Sequence, residues 1–296
     1  MTLYAALIEP FVTFGFMRRA LVACLALSVG SSPIGVLLVL RRMSLVGDAM
    51  SHAVLPGAAV GFLVGGLSLP AMGLGGMVAG LAVALLSGLV TRTTDLHEDA
   101  SFAGFYLASL ATGVLILSLR GSSVDLLHVL FGSILAVDPT ALYAVGGIAS
   151  FTAIVFALVY RPLLAECFDP GFMRAVSGGG SFYHLLFLFL VVINLVAGFQ
   201  TLGTLMAVGL MMLPAASARL WATTLPGLMA LAGCIAFASG LIGLLVSYHV
   251  GAASGPAIVL AATGFYLVSV VTGRGGMLRR RSGRAAAMLH PQRTHA

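Results

Sequence analysis

The sequence has no lysine; all fifteen basic residues are arginine. A Walker A loop holds its phosphates with a lysine, so the chain is not itself a P-loop ATPase. Charge of either sign is scarce, at 8% of 296 residues, where a soluble domain carries about 25%. The three cysteines (Cys24, Cys167, Cys234) form no CxxC pair and read as small buried hydrophobes. There is no HExxH, no Ser/His/Asp constellation and no glycine-rich phosphate loop, which speaks against an enzyme and leaves no catalytic residue to name. No basic start with a small-residue cleavage site precedes the first apolar stretch, so no cleavable signal peptide is expected. Nothing in the chain suggests nucleic-acid binding.

What the chain does have is apolar surface. Sixty per cent of it is hydrophobic, more than a water-soluble fold of this length can hide. The expected fold class is therefore all-α, a polytopic transmembrane bundle of eight to nine spans. A span needs about 20 apolar residues, and the charges punctuate nine such stretches: 20–40, 47–67, 70–91, 100–119, 140–160, 182–198, 200–219, 226–247 and 254–272. Thirty-seven glycines point to close helix–helix packing. The expected organisation is an interfacial segment over 1–19, the transmembrane domain over 20–272 and a basic, disordered cytoplasmic tail over 273–296.

Arginine placement predicts orientation. Nine spans put twelve arginines on the side of the tail and leave Arg18, Arg19 and Arg120 opposite, so the tail is expected in the cytoplasm and the N-terminus outside. Two segments do not span. Gly121 to Pro139 fits a re-entrant or surface helix on the outer side. Arg161 to Ser181 is the longest cytoplasmic loop, in which Asp169-Pro170 reads as a helix start and Gly178 to Gly180 as its stop. The composition leaves open whether this is a plain connection or a docking surface.

The chemistry concentrates in the second span, Gly47-Asp48-Ala49-Met50-Ser51-His52, with Pro56-Gly57 following. Asp48 and His52 are one helical turn apart on one face. Ionisable residues in a span are costly unless they face the interior or a watery path. Carboxylate and imidazole together suit zinc or manganese. Pro56 deprives the carbonyl of His52 of its helical donor, and Pro56-Gly57 can bend the helix at the path. Two ligands are too few for a closed site, but a two-fold dimer supplies four. The plain alternative is that Asp48 caps the first turn and His52 satisfies a neighbour. Asp95 and Glu98 have capping-box spacing. His249 and His128 on the outer side could meet an incoming ion or be ordinary interfacial residues. Asn194 and Gln200 are expected to hydrogen-bond between helices. The thirteen methionines are expected to fill core gaps.

The run Leu38 to Phe62 (LVLRRMSLVGDAMSHAVLPGAAVGF) resembles the signature of the bacterial zinc/manganese/iron ABC permease family. The resemblance continues in Leu130 to Asp138, Phe168 to Val176, Gly203 to Leu220 and Ser247 to Leu260. It implies a fold similar to the vitamin B12/siderophore-type importer permeases, in the bacterial inner membrane. It also implies a homodimer, cytoplasmic ABC ATPase subunits that bind ATP and Mg, and a periplasmic or lipoprotein metal-binding protein. The family's Asp and His match Asp48 and His52, which implies a transient transport site for zinc, manganese or iron paired across the dimer. The segment holding Phe168, Asp169, Pro170, Phe172 and Arg174 resembles the coupling helix that meets the ATPase. The outer loop Val250-Gly251-Ala252-Ala253 lacks the acidic residue and proline that family members often carry there. Read without the resemblance, the residues also admit a proton-coupled secondary transporter, with Asp48 and His52 as relay, or a structural scaffold.

Overall fold

The computed structural model describes residues 7–66, 68–119, 139–169, 171, 173 and 180–274. The outer segment 121–138 with His128, the residues Pro170, Phe172 and Arg174, and the tail beyond 274 lie outside these. Among the described residues there are ten helices and no strand: α1 Glu9–Thr13, α2 Gly15–Leu40, α3 Ser44–Gly65, α4 Leu69–Thr93, α5 Glu98–Leu119, α6 Pro139–Phe168, α7 Gly180–Leu202, α8 Thr204–Arg219, α9 Leu225–Val250 and α10 Ser254–Thr272. Eight of them are long and apolar enough to cross a membrane. The ninth expected span is α8, with 16 residues, about 24 Å at ~1.5 Å per residue.

Short as it is, α8 runs from one end of the bundle to the other. Only Gly203 separates it from α7, with a φ of 92° that glycine adopts without a Cβ penalty. At its far end Arg219 Nη1 donates to the carbonyl of Val39 at 3.0 Å. Arg41 Nη2 meets His184 Nδ1 at 3.2 Å, and His184 Nε2 faces Glu98 Oε1 at 3.3 Å. One end of the bundle therefore gathers the C-termini of α2 and α8 and the N-termini of α5 and α7. At the other end the Phe14 ring lies 5.7 Å from that of Tyr248, and the Gln200 amide fills the space beside Gly73. Arg41, Arg42 and Arg219 sit at the first end, and Arg18 and Arg19, in the opening turns of α2, at the second.

Helices α2, α3 and α7 are mostly buried within the protomer, whereas α5, α6 and α10 lie at the rim. Asn194 in the middle of α7 donates to Thr152 Oγ1 of α6 at 2.8 Å, an interhelical bond of the kind its composition predicts. Gln200 packs on α4 as described. Helix α6 breaks its regular backbone at Val159 (φ −105°, ψ 17°) and continues to Phe168. Pro162 explains the break, because it leaves the carbonyl of Leu158 without a donor. The first eight residues of the expected loop 161–181 are thus helical. Met173 N–H donates to the carbonyl of Asp169 at 3.3 Å, one helical turn beyond.

The tightest packing joins α3 to α4. A Cβ on Gly57 would overlap the carbonyl oxygen of Gly75 and stand 2.5 Å from Ala79 Cβ; one on Gly61 would overlap the carbonyl of Ala71. Small residues recur every fourth position on both helices (Gly57, Gly61, Gly65 against Ala71, Gly75, Ala79), which lets the backbones touch. The helix assignment of α3 runs unbroken through Pro56, so Gly57 serves as a point of close approach.

Candidate metal centre

From Leu45 to Ala59 helix α3 is buried except along one stripe; beyond it Val60 and Val64 are also exposed. Leu45, Asp48, His52, Leu55 and Ala59 are exposed or half-exposed, while Val46, Gly47, Ala49, Met50, Ala53 and Val54 are buried. The spacing of three and four residues makes this a single helix face. It turns Asp48 and His52 outward from the chain rather than into its core. Asp48 is 60% exposed and His52 36%. Lipid solvates a carboxylate poorly even toward the end of a span, where Asp48 lies as the fifth residue of α3, so this stripe is poorly suited to lipid.

His52 Nε2 stands 3.8 Å from Asp48 Oδ1. That is too long for a hydrogen bond. Two atoms each about 2.1 Å from one tetrahedral ion lie about 3.4 Å apart, so a small shift would let both ligate one cation. Ser51 Oγ donates to the carbonyl of Asp48 at 2.7 Å, which ties that hydroxyl to its own helix. No group of three or more His, Cys, Asp or Glu gathers among the described residues. One copy therefore offers an ion these two ligands and an open side. The Met212 methyl packs on Gly47 beside the pair, a gap-filling contact as expected of methionine.

The remaining expected site residues are spread out. Phe168 and Asp169 are exposed at the end of α6. His249 lies at the C-terminal end of α9, 5.2 Å from the Tyr248 ring and far along the bundle from Asp48. The capping box of Asp95 and Glu98 does not form. Helix α5 starts at Glu98, the carbonyl of His97 accepts from Ala100 and Ser101, and the Glu98 carboxylate faces His184.

Two groups escaped the sequence reading. The first is the chain Glu98–His184–Arg41, whose guanidinium also lies 5.2 Å from the Phe187 ring centre. A histidine in the second turn of an apolar span was a visible signal for it. The second is Tyr106, whose ring lies 6.0 Å from the imidazole of His52, tilted by 29°. No single-helix pattern could have paired these.

The family model of the ABC 3 transport family matches residues 13–273. The manganese transport system membrane protein MntC of Halalkalibacterium halodurans is 34% identical over 274 residues, 92% of each chain. The chelated iron transport system membrane protein YfeD of Yersinia pestis is 30% identical, over 91% of this chain and 89% of its own. The solved structure of PsaBC from Streptococcus pneumoniae in complex with Fab superposes with a TM-score of 0.82 at 30% identity, over 94% of this chain and 100% of the other. The chain belongs to the ABC 3 transport family.

Proposed function

We propose that this ABC 3 family member is the membrane-spanning permease of an ATP-driven importer of a divalent transition metal. The observation that carries the reading is the Asp48–His52 pair on the one stripe left exposed between Leu45 and Ala59 of α3. A second copy related by two-fold symmetry would cover that stripe and bring four ligands to the axis. Relatives named for manganese and for iron support manganese as the first cargo and iron as the second; the same ligands would also take zinc.

Energy comes from a separate ATPase, since this chain lacks the lysine of a P-loop. The arginine-rich end is the cytoplasmic one by the positive-inside rule. Phe168 and Asp169, exposed at that end, support an ATPase docking there. A periplasmic or lipoprotein metal-binding protein delivers the ion at the other face. ATP-driven rocking of two copies exposes the axis to each side in turn, and a carboxylate–imidazole set with no thiolate holds the ion weakly enough to release it.

The test is uptake of radioactive manganese in cells carrying Asp48→Ala or His52→Ala, with co-purification of the ATPase as a control for assembly. Both variants should lose uptake and keep the ATPase. Unimpaired uptake in both sinks the site, and ATP-independent uptake in proteoliposomes would favour a proton-coupled carrier.

A further inference from the structure

Helix α5 lies at the rim of the bundle, yet one of its faces is turned onto α3 beside the ion pair. Tyr106, Ser109 and Gly113 follow at intervals of three and four residues and so share that face. The Tyr106 ring stacks on His52 with centroids 6.0 Å apart and planes 29° apart, within the range of offset aromatic pairs. Ser109 Oγ donates to the carbonyl of Ala53 at 3.4 Å. Gly113 sits so close to Pro56 that a Cβ there would lie 2.8 Å from the proline Cα and overlap its ring.

These three supports land on the stretch of α3 that its own helix holds least. Pro56 has no N–H, so the carbonyl of His52 loses its intrahelical donor. A metal-binding histidine is usually oriented by a hydrogen bond to its second ring nitrogen. No described residue hydrogen-bonds the ring of His52, which leaves the Tyr106 stack as its orienting contact. The half-exposed imidazole would otherwise be free to turn about its side-chain torsions.

We propose that Tyr106 is a positioning residue for ion transport: its ring holds the His52 imidazole with Nε2 toward Asp48, while Ser109 and Gly113 fix the backbone of α3 beneath it. The inference rests on Asp48 and His52 being the transport ligands, and adds what orients one of them. Tyr106 touches the histidine, not the ion. Preorganisation of this kind raises the fraction of encounters in which both ligands engage one cation.

The test uses the assembled transporter, this chain with its ATPase and metal-binding protein, in proteoliposomes with manganese(II). The readout is manganese transported per ATP hydrolysed. Tyr106→Leu should lower that ratio about two- to tenfold, the range an aromatic pair contributes, with the rate of ATP hydrolysis unchanged. Tyr106→Phe keeps the ring and should restore the ratio. A purely structural role would lower transport and hydrolysis together and leave the ratio intact, which would overturn the proposal. So would Tyr106→Phe falling as far as Tyr106→Leu. If Tyr106→Leu does not assemble, Gly113→Ala displaces Pro56 by a different route and should lower the same ratio; an unchanged ratio there overturns the proposal too. His52→Ala separates the two readings. Loss of transport in His52→Ala with a normal ratio in Tyr106→Leu defeats this inference alone. Normal transport in His52→Ala defeats the site and this inference with it.

Discussion

Replacing Gly57 with alanine adds one methyl group to the close backbone contact between α3 and α4. The new carbon would overlap the carbonyl oxygen of Gly75 and stand 2.5 Å from Ala79 Cβ, where carbon atoms prefer about 3.5–4.0 Å. Neither obstacle is a flexible side chain, so α3 and α4 must separate by about 1 Å. Overpacking of this kind costs about 1–3 kcal/mol. The better helix propensity of alanine offsets about 0.5–1 kcal/mol, leaving a net loss of up to about 2.5 kcal/mol. In a thermal melt of the purified complex this corresponds to a fall of up to about 10 °C, at ~2–4 °C per kcal/mol. Gly88→Ala is the matched control on α4, because a Cβ there meets nothing within 4 Å; it should leave Tm unchanged or raise it slightly. The two substitutions are chemically identical and differ only in what the methyl group meets. Equal melting temperatures for Gly57→Ala and Gly88→Ala would refute the close approach of the two backbones. Because Gly57 adjoins Pro56, the shifted helix should also carry manganese more slowly in the same preparation.

Asn194→Ala should destabilise the complex by about 0.6–2 kcal/mol, read as a lower Tm, and a double-mutant cycle with Thr152→Val should show that most of the loss is shared. His184→Phe removes the group that lies between Glu98 and Arg41; losing contacts between half-buried groups should cost about 0.5–1 kcal/mol, and a wild-type melting temperature would argue against the chain of contacts. Reporter domains fused in the 66–68 turn and in the 94–97 loop should report opposite sides of the membrane, the latter cytoplasmic, and the same side for both would contradict the course of α3 and α4.

The sequence carried the helices because the bilayer enforces them: each apolar run between charges must satisfy its own backbone, and the ends of the runs follow. It carried Asp48 and His52 for a similar reason, since a charge pair at helical spacing in an apolar run has few uses. Boundaries slipped where the chemistry is local. Phe14 is extended and α2 begins at Gly15, so Arg18 and Arg19 belong to the first span rather than to the segment before it. The expected span ends at 160, yet the helix kinks near Pro162 and runs on to Phe168. Glu98 had the spacing of a cap, but a histidine 86 positions away supplies its partner. The stack of Tyr106 on His52 depends on how two helices lie side by side, and no periodicity within either helix encodes that.

The stripe on α3 also bears on how the protein reaches the membrane. Of the eight long helices α3 is the least hydropathic, and it carries both ionisable groups of the ion pair. Asp48 and His52 in its first three turns add a cost in lipid that its low hydropathy does little to offset, so α3 is the segment least able to leave the translocon for lipid alone. Its glycine face is already shaped for the helix that emerges next, and its other flank for α5. The segment best equipped to handle a cation therefore enters the bilayer on the strength of its neighbours, and the order of synthesis delivers those neighbours immediately after it.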